Sequence, residues 1–132
     1  MNLLVDSHIL LRWFLEPAKN AKDIHKLIED ENNSIYYSAV SLWEIAVKYG
    51  LGKLSLGPLK PEEFADECQR SFLGCLPLDN DLLISSYQLP QRHPDPFDRL
   101  LIWQAIQQRM TLLSMDSRFG AYRQDGLRLL PE

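Results

Sequence analysis

The stretch Leu3-Leu4-Val5-Asp6, close to the start of the chain, is a short apolar run that ends in an acid. Such a run predicts a strand that is buried on both faces, as in parallel sheets covered by helices. A second run, Thr111-Leu112-Leu113-Ser114-Met115, ends in Asp116 in the same way. Because ligands of open α/β sheets bind outside the carboxyl ends of the strands, the two runs predict a crevice shared by Asp6 and Asp116.

The segments around these two strands alternate between strand-like and helix-like patterns. We predict helices from Pro61 onward and over Ile9–Phe14, Ala21–Asp30, Ser38–Tyr49, Asp79–Leu89 and Pro96–Met110. Further strands are predicted over Ser34–Tyr37, Leu73–Leu78 and Leu127–Leu130. This alternation favours an α/β fold in which helices pack on a parallel sheet.

Length and composition indicate one compact domain, residues 1–132. At this size folding buries roughly two-thirds of the surface of the unfolded chain, so a core needs no disulfide. The two cysteines, Cys68 and Cys75, match no zinc or redox motif and are expected to be free thiols. No apolar run reaches the roughly 20 residues of a membrane span, and the N-terminus lacks the basic segment of a signal peptide. We therefore expect a cytoplasmic protein without membrane contact.

The formal net charge is −4, which argues against a protein that is held to DNA by a broad basic surface. The charge does not exclude an enzyme that contacts nucleic acid locally. A divalent metal ion in an acidic pocket would itself supply positive charge where a phosphate docks.

Glu44 is the most informative single acid. It lies in Leu42-Trp43-Glu44-Ile45-Ala46-Val47, a helical segment that is apolar around most of its circumference. An unpaired carboxylate in such a setting is costly, so an ion pair, a raised pKa or a metal ion must account for it. Lys48 lies one helical turn later and offers the structural explanation, a surface pair at i,i+4.

Asp98 follows the motif Asp95-Pro96-Phe97 at the start of a predicted helix. Asp95 is the expected N-cap, with Pro96 as the first helical residue and Asp98 as an acid in the first turn. This placement explains Asp98 structurally, yet a helix N-terminus is also a place where a phosphate can bind. Asp6 and Asp116 have a structural alternative too, because each precedes a possible helix that it could cap.

The four acids together predict a site for a hard cation. Clustered carboxylates repel one another, which raises their pKa values unless a cation lies between them. Mg²⁺ and Mn²⁺ prefer oxygen ligands, and such an ion supports phosphodiester hydrolysis by activating water and stabilising charge on the phosphate. The linear sequence does not establish that Asp6, Glu44, Asp98 and Asp116 converge.

At these residues the chain resembles the PIN-domain family, and within it the VapC-type toxins of bacterial toxin–antitoxin pairs. The segments that carry the resemblance are Leu4–His8 with Leu11 and Trp13, Ser38–Lys48 (SAVSLWEIAVK), Asp95–Leu101 (DPFDRLL), and Leu112–Asp116 followed by Phe119. They occur in the order of the family and span nearly the whole chain.

The resemblance implies a three-layer α/β/α sandwich with a central, mostly parallel sheet, and an endoribonuclease that depends on Mg²⁺ or Mn²⁺. It assigns Asp6 as the metal ligand at the first strand end and Glu44 as the helical acid that reaches the site from the side. It makes Asp98 a metal ligand, directly or through water, and Asp116 the second strand-end acid. It further implies an RNA substrate, a cognate antitoxin, a homodimer and a growth-arresting role.

Residues close to the four acids in the sequence are assigned phosphate-binding or structural roles. Ser7 resembles the hydroxyl residue that binds phosphate or water, and Arg99 is a candidate contact for the same phosphate or a partner of Asp95. For His8 and His93 we favour structural hydrogen bonds over catalysis. The tryptophans lie in apolar helical stretches, which favours core positions over base stacking for Trp13, Trp43 and Trp103.

Three rival functions are compatible with an α/β fold. A binding module would hold an antitoxin or RNA without cleaving it, and the intact set of acids argues against that. A phosphotransfer receiver or phosphatase needs a lysine near a late strand end, and none flanks Asp116. A dinucleotide-binding enzyme lacks its G-x-G-x-x-G motif after the first strand.

Overall fold

A computed structural model describes all of residues 1–132. The strands are β1 Asn2–Val5, β2 Ser34–Ser38, β3 Gly74–Leu76, β4 Thr111–Leu113 and β5 Arg128–Leu130. The α-helices are α1 Ser7–Leu15, α2 Lys22–Glu29, α3 Ala39–Gly50, α4 Pro61–Arg70, α5 Asn80–Ser85 and α6 Pro96–Gln107. Short 3₁₀ helices cover Pro17–Lys19, Ser86–Gln88 and Ser117–Asp125.

The five strands form one parallel sheet in the order β3-β2-β1-β4-β5. The strands β1 and β4 are therefore central neighbours, with Val5 paired to Leu113. The next residue of each strand lies at the carboxyl edge of the sheet, where the N–H of Asp6 donates to the carbonyl of Leu113 at 3.0 Å. The predicted parallel sheet is confirmed, and it places the two strand ends side by side.

Side chains of β1 alternate between two apolar layers, as the pleat of a strand requires. Leu3 and Val5 face one core cluster, which includes residues of α1, α2 and α4: Ile9, Leu10, Ile24, Ile28 and Phe64. Leu4 faces the other cluster, which includes residues of α6 and of the segment after β4: Leu101, Ile102, Ala105, Phe119 and Tyr122. Helices on both faces of the sheet confirm the α/β/α sandwich.

Element ends differ from the predictions where the backbone turns. The last predicted helix ends at Gln107 because Arg109 adopts a left-handed conformation with φ of 55°. The N–H of Met110 then returns to the carbonyl of Ala105 at 2.9 Å, which closes the helix end. The predicted helix Asp79–Leu89 is a short α5 followed by a 3₁₀ turn.

Both cysteines are free, Cys68 in the core and Cys75 on the surface. No helix of the chain has the length and apolar character that a membrane span requires.

Candidate metal centre

Asp6 lies where β1 passes into α1, and it caps that helix. Its Oδ1 accepts the N–H of Ile9 at 2.8 Å, and its Oδ2 accepts the hydroxyl of Ser114 at 2.5 Å. The side chain is almost fully buried. Burial raises the pKa of Asp6 above its ordinary value, against the hydrogen bonds from Ser114 and Ile9, which lower it. The capping interpretation of Asp6 is therefore correct, and it is compatible with a place in an acidic centre.

Ser114 joins the two strand-end acids, a role that the sequence analysis missed. Besides donating to Asp6, its Oγ accepts the N–H of Asp116 at 3.1 Å. The signal for this role is positional, because Ser114 follows Leu113 just as Asp6 follows Val5 in the paired parallel strands.

Asp116 caps the 3₁₀ helix Ser117–Asp125 and carries a cation of its own. Its Oδ1 accepts the backbone N–H of Arg118 at 2.9 Å. The guanidinium of Arg118 binds both carboxylate oxygens, with Nε 3.1 Å from Oδ1 and Nη2 2.8 Å from Oδ2. The hydrogen bonds of this side chain are the main cause that lowers the pKa of Asp116 to about 2. Asp116 therefore ionises more readily than an ordinary aspartic acid.

Glu44 projects from α3, which begins where the hydroxyl of Ser38 accepts the N–H of Val40 at 3.1 Å. The carboxylate is buried, as expected from its apolar surroundings. Its Oε1 lies 2.7 Å from the hydroxyl of Ser7, and its Oε2 forms an ion pair with Lys48. Of the possible explanations for a buried Glu44, the structure shows the ion pair.

Lys48 binds more than one acid. Its Nζ lies 3.9 Å from Oδ2 of Asp95, in addition to its contact with Glu44. Partial burial lowers the pKa of Lys48, but the hydrogen bond and charge of Glu44, with the charges of Asp95 and Asp98, outweigh it and raise the pKa above its ordinary value. Lys48 is thus held in its charged form.

Asp98 lies in the first turn of α6, and Asp95 caps that helix by accepting the N–H of Phe97 at 2.8 Å. Asp98 itself is only 5% exposed and caps nothing. Burial raises the pKa of Asp98 to about 7, and the charges of the surrounding acids add to the effect: Asp95, Glu44, Asp6 and Asp116. The charged form of a buried acid that neighbouring carboxylates repel is stabilised by a nearby cation.

Asp98 is the centre of the arrangement. It belongs to two groups whose ligand atoms lie within 4.8 Å of one another, the first with Glu44 and Asp95 and the second with His93 and Asp116. Asp6 belongs to neither close group, although its charge acts on Asp98. The structure therefore places Glu44 close to Asp98 in one group and Asp116 close to Asp98 in the other, and Asp6 lies outside both groups at the strand end. Asp95, expected only as a cap, is an additional member.

His93 is the second residue that the sequence analysis undervalued. It is buried, and its Nε2 lies 3.3 Å from Oδ2 of Asp98 and 3.5 Å from Oδ2 of Asp116. The expected hydrogen-bonding role is correct for His93, and its Nε2 bonds to Asp116 while lying beside Asp98, so that it contacts two candidate metal ligands. The structural hydrogen bond expected for His8 is wrong, because its side chain is exposed and makes no hydrogen bond.

The remaining predicted contact residues bind other parts of the protein. Ser7 is buried, with its Oγ 2.9 Å from that of Ser41 in addition to its contact with Glu44. Arg99 donates to the carbonyl of His93 at 2.6 Å and makes no pair with Asp95. In this structure both side chains support the loops and helices of the site.

Trp43 is not in the core, contrary to the prediction. It is 59% exposed and packs edge-on against Phe97, with ring centroids 5.0 Å apart. Because Trp43 precedes Glu44 on α3 and Phe97 precedes Asp98 on α6, the pair lies at the rim of the acidic centre. Trp103 is buried and Trp13 half-buried, as their sequence context indicates.

A pocket of about 300 Å³ opens on the other side of the strand ends. It is lined by Asp6, His8, Ile9, Arg12, Met115, Asp116 and Arg118. Two arginines therefore face a space that is bounded by two of the predicted acids. Neither Arg12 nor Arg118 was identified from the sequence, because the residues of this pocket come from segments that are more than 100 positions apart.

The donor set fits a hard divalent cation. Carboxylate oxygens dominate it, Asp98 is short of positive charge, and the close spacing suits a shared ion. His93 is a poor ligand in this arrangement, since its Nδ1 accepts the N–H of Asp95 at 3.1 Å and its Nε2 therefore carries the hydrogen of the neutral ring.

Fold and site together define an α/β/α protein with an acidic centre at the carboxyl edge of a parallel sheet. The family model for the PIN domain matches residues 3–124, and the chain belongs to the PIN-domain family. Members of this family are in general nucleases that use a divalent metal.

Solved structures share the fold at low sequence identity. VapBC2 from Rickettsia felis, bound to a DNA fragment from its promoter, has a TM-score of 0.69 and 19% identity, covering 98% of this chain and 97% of that chain. VapBC-1 from nontypeable Haemophilus influenzae has a TM-score of 0.69 and 14% identity, covering 98% and 96%. FitAcB from Neisseria gonorrhoeae has a TM-score of 0.66 and 17% identity, covering 98% and 96%. No curated protein matches the sequence.

Proposed function

We propose that this PIN domain is a Mg²⁺- or Mn²⁺-dependent endoribonuclease of the VapC type. The observation that carries the proposal is the state of Asp98, a buried carboxyl that touches two groups of acids and whose pKa is raised to about 7. A hard divalent cation is the partner that allows such carboxylates to ionise together.

Asp98 and Asp116 would hold the metal ion, with Asp6 and Glu44 completing the acidic environment. When bound, such an ion lowers the pKa of a water ligand and stabilises negative charge on a phosphate. The chain orients these acids through firm contacts, because Ser114 holds Asp6, Ser7 holds Glu44, and the N–H of His93 lies between Asp98 and Asp116.

The arginine-lined pocket supplies the positive charge that the chain as a whole lacks. Arg12 and Arg118 flank Asp6 and Asp116, so a phosphate backbone can approach the acids along a local cationic path. This path fits a single strand or loop, whose backbone adapts to a pocket of limited size. We therefore assign the phosphate contacts to Arg12 and Arg118, and a supporting role to Ser7 and Arg99.

We extend the proposal to the cellular role of a toxin that acts with a cognate antitoxin and forms a homodimer. The similar folds were solved as VapBC and FitAcB assemblies, and a further one as a toxin–antitoxin complex from Klebsiella pneumoniae. Apolar side chains around α5 are available to a protein partner, since Ile84 is 77% and Tyr87 82% exposed. Co-expression with the product of the adjacent reading frame should relieve growth arrest, and loss of arrest in Asp6→Asn should link toxicity to the acids.

The direct test is cleavage of end-labelled single-stranded RNA by the purified protein in Mn²⁺, Mg²⁺ or EDTA. We expect cleavage only with metal, and loss of it in Asp98→Asn. Asp81→Asn is the matched control, because Asp81 is an exposed acid in the first turn of another helix. Full activity in EDTA would contradict the metal mechanism. RNA binding without cleavage by folded, Mn²⁺-bound protein would instead favour the binding module.

A further inference from the structure

Lys48 lies among acids that belong to different elements. Its Nζ pairs with Glu44 of the same helix and lies 3.9 Å from Asp95, which precedes α6. An ordinary i,i+4 pair on a helix surface would involve one acid and two exposed side chains. Here the Glu44 side chain is 5% and the Lys48 side chain 33% exposed. The ammonium is therefore built into the acidic centre.

The place that Lys48 fills has the spacing of a cation site. Ligand oxygens of Glu44, Asp95 and Asp98 lie within 4.8 Å of one another, as do the ligand atoms of the group around Asp116. The acidic centre thus has two neighbouring positions for positive charge that share Asp98. The first position contains the ammonium of Lys48, whose side chain is 33% exposed, whereas the cation beside the second is Arg118, whose side chain is 58% exposed.

The ammonium is held firmly at that place. The other oxygen of Glu44 lies 2.7 Å from the hydroxyl of Ser7, which fixes the carboxylate plane. Withdrawal of Lys48 would leave Glu44 buried without a counter-charge, which is a strongly unfavourable state. A divalent ion that binds Glu44 would therefore have to displace the Lys48 ammonium or bind next to its positive charge.

We propose that Lys48 takes the place of a second divalent ion at Glu44 and Asp95, so that the chain uses one metal ion, at Asp98 and Asp116, beside a fixed lysine. This inference rests on the proposed function. The lysine supplies positive charge next to the bound phosphate whether or not metal is present. Since Lys48 is partly exposed, its remaining N–H groups can donate to a phosphate oxygen.

The number of Mn²⁺ ions per chain tests the proposal without reference to activity. Calorimetric titration and electron paramagnetic resonance of free Mn²⁺ would count the ions on the wild type, Lys48→Met, Lys48→Arg and the control Lys53→Met, an exposed lysine beyond the end of α3. We expect one ion on the wild type, Lys48→Arg and Lys53→Met, and a second ion on Lys48→Met. The double variant K48M/E44Q should return to one ion, because the second position then lacks an acid.

Cleavage rates give a second, separate readout. At an Mn²⁺ concentration that fills only the position at Asp98 and Asp116, Lys48→Met should lose roughly a hundredfold in kcat, the size expected for one group that stabilises charge on a reacting oxygen, while Lys48→Arg keeps most of the activity. Melting curves identify any variant that does not fold, and the wild-type stoichiometry remains decisive in that case.

Wild-type protein that cleaves RNA with two Mn²⁺ ions would overturn the role of Lys48 and leave the ribonuclease intact. Unchanged stoichiometry and kcat in folded Lys48→Met would overturn it as well. A wild type that binds one ion, gains a second in Lys48→Met and cleaves no RNA would support the lysine site while refuting the ribonuclease.

Discussion

The Nε2 atom of His93 lies 3.3 Å from Oδ2 of Asp98 and 3.5 Å from Oδ2 of Asp116. On the opposite side of the ring, Nδ1 accepts the N–H of Asp95, which places the ring hydrogen on Nε2 in the neutral form. This N–H donates to the Asp116 carboxylate, whose pKa is lowered, and lies beside the Asp98 carboxyl, whose pKa is raised. His93 aligns the two acids by geometry, and it connects them to the loop that precedes α6.

Paired substitutions at His93 should separate its two contacts. An asparagine side chain can keep the acceptor for the N–H of Asp95, whereas glutamine can keep a donor near the Nε2 position. We expect His93→Gln to retain more Mn²⁺ affinity than His93→Asn, because glutamine keeps a donor that bonds to Asp116 beside Asp98. Nitrogen-15 NMR of the wild type should show Nε2 as the protonated nitrogen. Equal Mn²⁺ affinity in both variants would exclude the aligning role.

The raised pKa of Asp98 gives the metal-free protein a definite pH dependence. Its pKa is about 7 in the folded chain against an ordinary 3.8, so the folded state binds this proton more tightly than the unfolded state. The contribution of Asp98 to the free energy of unfolding should therefore be fully present below about pH 4 and be lost as the pH rises through about 7. In EDTA at pH 8, Asp98→Asn should melt at or above the wild-type temperature. At pH 4 this advantage should disappear.

Metal should reverse that order, since it binds the folded site alone. At a hundredfold excess over its dissociation constant, Mn²⁺ would stabilise the wild type by about 2.7 kcal/mol. Asp98→Asn should gain far less, and the exposed control Asp81→Asn should gain as much as the wild type. An equal response of Asp98→Asn and the wild type to Mn²⁺ would show that no metal is held at Asp98.

Removal of the Arg118 guanidinium is expected to raise the pKa of Asp116 and to lower the affinity for RNA. Removing its guanidinium in Arg118→Gln should raise the low pKa of Asp116, because the hydrogen bonds of Arg118 are its main cause. Loss of one phosphate contact should also weaken RNA binding and reduce the slope of log K against log salt by about 0.7. Fluorescence anisotropy over a range of salt measures that slope. Arg123→Gln, an exposed arginine of the same 3₁₀ helix, is the control and should leave it unchanged.

Ser114→Ala should loosen the strand-end acids without removing any charge. The hydroxyl is the partner of the buried Oδ2 of Asp6, so its loss leaves that oxygen unsatisfied at a cost of roughly 1–3 kcal/mol. The pKa of Asp6 should rise further, since the Ser114 hydrogen bond lowers it. Urea titrations at pH 5 and pH 8 would measure both effects, with a larger loss expected at pH 8. A loss of stability that is the same at both pH values would argue that the hydrogen bond from Ser114 does not affect the ionisation of Asp6.

Sequence patterns predicted the layers of the fold because burial follows local periodicity. The run Leu3-Leu4-Val5 has apolar residues on both faces, which requires helices on both sides of the sheet. The predicted end of α6 was wrong because Arg109 adopts a left-handed conformation that closes the helix. Glycine or asparagine usually occupies such a position, and an arginine does not indicate it. Trp43 was misplaced because helical periodicity shows that a face is apolar but does not show which neighbour covers it.

Local sequence patterns were enough to show which groups are available: four acids at strand ends and within helices, the caps at strand ends and helix starts, and a family resemblance that spans the chain. A strand end or an N-cap can be found in this way because it depends on a few neighbouring residues. How these groups are partnered follows from the packing of the folded chain. The pairing of β1 with β4 sets Ser114 against Asp6, and the packing of α3 against α6 brings Lys48 near Asp95. Electrostatic interactions depend on distance and burial in space, so partners that are far apart in sequence emerge only when the chain is folded.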